Sequence, residues 1–284
     1  MTPRDPEALH VERAGQGPPV VLLHGWSSSS RAFAPMLEHL APHHRVLAPD
    51  LRGHGRSPVD PSARARSERA DGCPAAGYAM EDHAADVAAL LEREDVTGAA
   101  LVGWSMGAQV ALEALSLSRR RVAALVLVSG TPRFTAAEDW PHGLREASVR
   151  ALARLLVRQP ERTLRAFFEG MFVPGELCAE RALEIERSVA EGAPPPSLAA
   201  IRAGLDAFIV ADQRSRAAEV AVPALVIHGE RDPVCLPGAA RWMAERIPGA
   251  RLALLQGLGH APLLSRPGLV SDLVLGFLAE AIRS

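Results

Sequence analysis

The chain has 284 residues, 48% of them hydrophobic, and a formal net charge of −2. That length can bury a sizeable core in one or two domains, and the near-neutral balance argues against a nucleic-acid-binding face. Cys73, Cys178 and Cys235 lie far apart without metal-ligand spacing, so neither a disulfide framework nor a metal centre is expected. The first 17 residues lack the apolar core of a signal peptide. No apolar run approaches the roughly 20 residues that span a bilayer. The expectation is a cytoplasmic, monomeric protein that needs no cofactor and engages no membrane.

In chain order, short apolar runs bounded by turn residues predict strands. An N-terminal hairpin is expected to precede the run Val20–Leu23, which ends at His24-Gly25-Trp26. Further runs are Val46–Pro49, Ala99–Val102, Ala123–Val128, Ala224–Ile227 and Leu252–Leu255. Continuous apolar runs of this length suit strands buried on both faces of a parallel sheet. Helical spacing is read over Ala32–Leu40, Met80–Glu94, Met106–Leu117, Pro237–Ile247 and Leu269–Ile282. Strand alternating with helix predicts a doubly wound, mostly parallel α/β sheet, whose site forms beyond the carboxyl ends of the strands.

Two segments interrupt the alternation. Val59–Gly77, rich in Pro, Ala, Arg and Ser, reads as a long exposed loop. Thr131–Ala218 carries helical patterns over Arg145–Val157, Glu161–Met171, Cys178–Ala190 and Ser197–Ala211, and no buried strand. It reads as a helical cap, residues 131–218, inserted after a central strand of a core formed by residues 1–130 and 219–284.

Gly103-Trp104-Ser105-Met106-Gly107 lies between a predicted strand and a predicted helix. This is the context of a nucleophile elbow, in which flanking glycines permit a tight turn around an exposed serine. His260, in the loop Gly257–Pro262, follows the last strand and is the candidate general base. Asp232 follows a strand in Gly229-Glu230-Arg231-Asp232-Pro233 and is the candidate acid, with Glu230 as a competitor. The chain order Ser, Asp, His fits one known arrangement of such a triad. Trp26 and Met106 are the candidate backbone donors of an oxyanion hole. His24 and the Asp50 to Ser57 turn read as structural, with His54 a further catalytic candidate.

These motifs together resemble the α/β-hydrolase superfamily over nearly the whole chain. A closer resemblance is to the pimeloyl-[acyl-carrier protein] methyl ester esterase family of biotin synthesis. It rests on Leu22–Trp26, Gly103–Gly107, Ser129–Pro141, Glu161–Phe168 and Gly259–Pro262. The resemblance implies a serine esterase acting through an acyl-enzyme on a methyl ester carried by acyl carrier protein. It implies substrate contacts from Trp26, Ser105, Met106, His260 and the stretch Phe167, Phe168, Glu169, Gly170 and Met171. Arg162 and Arg165, three residues apart on one helix, would face the acidic carrier protein. The alternatives are a general small-molecule carboxylesterase, a lyase or C–C hydrolase on the same fold, and a non-catalytic ligand-binding receptor.

Overall fold

A computed structural model of the chain describes residues 9–58, 77–190, 194 and 197–281. Most of the loop expected at 59–77, including Cys73, lies outside them. Among the described residues seven strands form one sheet: β1 (Val11–Ala14), β2 (Pro19–Leu23), β3 (Arg45–Pro49), β4 (Ala99–Trp104), β5 (Val122–Val128), β6 (Ala224–Gly229) and β7 (Arg251–Leu255). The order is β1-β3-β2-β4-β5-β6-β7. All pairings are parallel except β1 with β3.

The expected N-terminal hairpin does not form. β1 pairs antiparallel with β3, Val11 opposite Pro49, and β3 lies between β1 and β2. Both edges of β2 are taken by the parallel strands β3 and β4, so β1 can only cap the outer edge. The turn after β1 uses Gly15 and Gly17, both at positive φ, a conformation that costs glycine little.

The apolar runs divide by alternate residues between two cores. Val20, Leu22, Val102 and Val126 face one side, against α1 (Ala34–Leu40) and α11 (Pro267–Ala281). Val21, Leu23, Leu101 and Leu127 face the other, against α2 (Met80–Arg93), α3 (Met106–Leu117) and α9 (Pro237–Arg246). Each of these strand residues is fully buried, so truncating one of the leucines to alanine is expected to cost about 2–5 kcal/mol. The two-sided burial is why these strands read as continuous hydrophobic runs rather than alternating ones.

Between β5 and β6 lie α4 (Glu146–Arg158), α5 (Pro160–Glu169), α6 (Ala179–Ala190), α7 (Leu198–Val210) and α8 (Arg214–Ala218). The first four match the helices expected there to within two residues at each end. α8, of five residues, is too short to give a periodic signal. A short α10 (Pro262–Ser265) precedes α11. No described helix is long and apolar enough to cross a membrane.

Candidate active site

The carboxyl ends of β2, β4, β6 and β7 deliver the residues singled out in the sequence to one place. Ser105 follows β4 directly and caps α3 at φ 54° and ψ −114°, a region costly for a residue with a Cβ. Its surroundings explain the two glycines. A Cβ at Gly103 would lie 2.2 Å from the Gly107 carbonyl oxygen, and one at Gly107 would lie 1.9 Å from that of Leu23. Strand and helix can therefore pack closely enough to hold the serine at the bend. The Ser105 N–H donates to the Val128 carbonyl at 3.0 Å, tying the bend to β5.

Ser105 Oγ lies 2.9 Å from His260 Nε2, and His260 Nδ1 lies 2.8 Å from Asp232 Oδ2. All three are buried. The aspartate leaves only the Nδ1–H tautomer sensible, so the bare Nε2 accepts from the serine hydroxyl. Asp232 Oδ1 accepts the backbone N–H groups of Val234 and Cys235 at 2.8 and 2.9 Å. Burial opposes the charge on Asp232. The attraction of His260 and hydrogen bonds from His228 and His260 outweigh it, and its carboxyl titrates well below the ordinary carboxylate range. Glu230, the competing acid, is exposed.

The loop after β2 passes beside the serine. A Cβ at Gly25 would lie 3.2 Å from Ser105 Cβ. Trp26 is buried, with its indole N–H donating to the Ile201 carbonyl of α7 at 2.7 Å. Among the described residues, neither the Trp26 nor the Met106 backbone N–H donates to a protein acceptor. Met106 opens α3, where the first N–H groups of a helix have no partner of their own and the dipole is positive. Such donors beside the serine are what a developing oxyanion needs.

Trp26 and Trp104 also form part of the wall of a cavity of about 560 Å³. Glu186 and Val189 of α6 line it too, and α5 with the turn after it contributes Glu161, Leu164, Arg165, Phe168 and Met171. These positions follow helical spacing, so the lining is a stripe and not the continuous stretch 167–171 that was expected. Phe167 turns instead onto the Trp26 ring, edge to face with centroids 4.9 Å apart. Glu169 and Gly170 are exposed and lie outside the lining. Arg165 falls on the cavity stripe, at 3.3 Å from Glu186 of α6, rather than on a separate basic face. Arg162 is exposed, with a hydrogen bond to the Gln159 side chain at 3.4 Å.

His24 takes the structural part read for it. It accepts the Leu51 N–H at Nε2 and donates from Nδ1 to the Gly25 carbonyl. His54 lies beside it, its ring tilted by 59° at 5.2 Å between centroids, fully buried and with no hydrogen bond to the serine hydroxyl among the described residues. Asp50 accepts the N–H groups of Ser30 and Arg56, and Arg52 pairs with Asp86. No group of three His, Cys, Asp or Glu among the described residues could hold a metal ion.

Two polar residues at the site escaped the sequence reading. His228, fully buried at the end of β6, has Nε2 2.7 Å from the Cys235 carbonyl and 3.2 Å from Asp232 Oδ2. A carbonyl can only accept, so that nitrogen carries the proton and its contact with Asp232 is a donated one. Glu176, buried in the turn between α5 and α6, accepts the N–H groups of Val173 and Gly259. A histidine inside an apolar strand and a lone glutamate in the mostly apolar turn 170–178 carry no spacing signal that marks such contacts.

Comparison with known proteins agrees with this architecture. The model of the alpha/beta hydrolase fold matches residues 18–267. A pimeloyl-[acyl-carrier protein] methyl ester esterase of Nitrosomonas europaea is 34% identical over 260 residues, covering 92% of this chain and 95% of that one. Its namesake from Chromobacterium violaceum is 36% identical over 259 residues, covering 90% and 92%. Among solved structures, an esterase from Exiguobacterium antarcticum superposes with a TM-score of 0.84 at 26% identity, over 95% of both chains. A bromoperoxidase from Bacillus anthracis gives the same TM-score at 25% identity, again over 95% of both. A sheet of this order, a strained serine at the end of its central strand and these likenesses have one common explanation: the chain belongs to the α/β-hydrolase fold family.

Proposed function

We propose that the chain hydrolyses the methyl ester of pimeloyl-[acyl-carrier protein], with Ser105 as nucleophile, His260 as general base and acid, and Asp232 as the group that orients the imidazole. The observation that carries this reading is the unbroken hydrogen-bonded chain from Ser105 through His260 to Asp232. The ester substrate follows from the names and coverage of the relatives.

In the first half-reaction Ser105 Oγ attacks the ester carbonyl while His260 Nε2 takes the hydroxyl proton. The resulting oxyanion is received by the backbone N–H groups of Trp26 and Met106. The tetrahedral intermediate collapses by breaking the bond to the methoxy oxygen, which leaves as methanol with the proton from His260. Water then attacks the acyl-enzyme, His260 again takes and returns a proton, and the free carboxylic acid departs with Ser105 restored. Asp232 stays ionised throughout and stabilises the imidazolium. No cofactor is needed.

Residues 131–218 act as the cap over a core of 1–130 and 219–284. The cavity has the volume typical of a small-molecule site and an apolar lining from Trp26, Leu164, Phe168 and Met171, which suits a methylene chain. At the rim Arg165 is paired with Glu186 and flanked by Glu161, so the exposed Arg162 nearby on α5 is the basic group offered to an acidic carrier at the outer end of that chain. The test compares pimeloyl methyl ester on acyl carrier protein with a free short-chain methyl ester. A large preference in kcat/KM for the carried ester is expected. Equal values would favour a general carboxylesterase, and no hydrolysis of either would favour a binding protein.

A further inference from the structure

The loop that carries His260 is held by the cap as well as by β7. His260 N–H donates to the Met171 carbonyl at 2.7 Å. Its neighbour Gly259 donates to Glu176 Oε2 at 2.9 Å, and the same oxygen accepts the Val173 N–H at 3.0 Å. The approach is close enough to exclude a side chain, since a Cβ at Gly259 would meet the Met171 oxygen at 2.4 Å and Glu176 Oε2 at 3.1 Å. Glu176 and Met171 are both buried. The Trp104 indole N–H donates to the His260 carbonyl at 3.0 Å and completes the fixation from the core side.

We infer that Glu176 is a positioning residue for the general base, clamping the His260 loop to the cap turn whose Met171 forms part of the cavity wall. A buried carboxylate has a high desolvation cost and is retained only where strong acceptors are used. Here one carboxylate oxygen ties two backbone donors that belong to separate parts of the fold. The other oxygen, Oε1, is buried without a hydrogen-bond partner, so the side chain is held for what Oε2 does. Met171 serves both sides of the arrangement, with its side chain in the cavity wall and its carbonyl on the His260 N–H. A substrate chain that packs the wall therefore also stabilises the segment that orients the base. Small displacements of His260 matter, because a misplacement on the order of 1 Å can cost about 10²-fold in rate.

This inference rests on the triad reading, and the experiment separates the two. Wild type, Glu176→Gln, Glu176→Asp and Glu176→Ala are titrated with a fluorophosphonate, which phosphonylates an activated serine and releases fluoride. Ester turnover is then expressed per titrated site, so that misfolded protein does not count. Gln keeps an acceptor of the same reach and is expected to stay within about threefold of wild type, a change below one hydrogen bond. Ala, and Asp with its shorter reach, are expected to lose roughly 10- to 100-fold in kcat with KM little changed. The low-field Nδ1 proton resonance of His260 should broaden in these two and persist in Gln. Unchanged kcat per titrated site in both Ala and Asp, or a change confined to KM, overturns the clamp. Failure of the wild type to titrate overturns the triad reading itself, and the clamp falls with it.

Discussion

Ser105 is held at a backbone angle that only a crowded bend would impose, and its hydroxyl has one nitrogen to which to give its proton. Ser105→Ala is therefore expected to fold and to keep only the catalysis that binding and the proposed oxyanion donors supply, roughly 10³–10⁴ over water. Turnover near the wild-type level in a steady-state ester assay would remove the serine from the mechanism. The two acids after β6 make a sharper comparison. Asp232 has both oxygens engaged, one on His260 and one on backbone donors, whereas Glu230 faces solvent. Asp232→Asn should lower kcat about 10⁴-fold, because an amide favours the wrong imidazole tautomer, while Glu230→Gln should be close to neutral. The reverse ranking would make Glu230 the acid that serves His260. The serine, the histidine and this aspartate were legible because each sits in a turn motif at a strand end. His228 and Glu176 were not. Glu176 meets its partner Gly259 across 83 residues of sequence, and His228 lies in a strand whose pattern reports burial alone.

At the scale of the element, α5 shows what periodicity reveals and what it hides. The sequence marks a helix with two arginines three residues apart, and residues at that spacing are neighbours on its surface. Which of them meets the cavity depends on how the helix is rotated against its surroundings, and that is set by tertiary packing. Phe167 on Trp26 and the stripe Glu161, Leu164, Arg165 and Phe168 on the cavity fix the rotation. Arg165 lies on the stripe and Arg162 does not. The two charge reversals should therefore differ. Arg162→Glu is expected to raise KM for a carrier-linked ester several-fold at low salt, with the effect shrinking as salt screens it, and to leave a free short ester unaffected. Arg165→Glu also breaks the pair with Glu186 at the rim and should impair both substrates. Michaelis constants for the two esters at two ionic strengths decide the matter. Equal effects of Arg162→Glu on both would make that arginine a support of the cap rather than a docking residue.

For the molecule as a whole, the parallel strands were legible as apolar runs because both faces of the sheet are covered. The pairing of β1 with β3 is not legible in the sequence, because a strand's neighbour depends on which edge the other strands leave open, and four residues cannot encode that. The same covering helices and loops bury ionisable groups, and this gives the fold a pH dependence of known sign. His24 and His54 are both fully buried at the start of the loops after β2 and β3. Burial pushes both pKa values down, that of His54 to about 3. The unfolded chain takes up a proton on each near the ordinary histidine value of about 6.5, while the folded chain does not. Stability is thus full above that pH and falls as the solution is acidified, by about 1.4 kcal/mol per pH unit for each histidine held neutral, until the folded pKa is reached. Asp232, held low by its histidine partners, adds a loss only at more acidic pH, below the ordinary carboxylate range. His54→Asn keeps a donor for the Arg52 carbonyl that His54 Nδ1 now contacts and removes one titration. Denaturant unfolding of wild type and this variant between pH 7 and about pH 4.5 should give a slope shallower by one proton in the variant. Parallel slopes would show that His54 is protonated in the fold over that range, and that its burial does not exclude the charge.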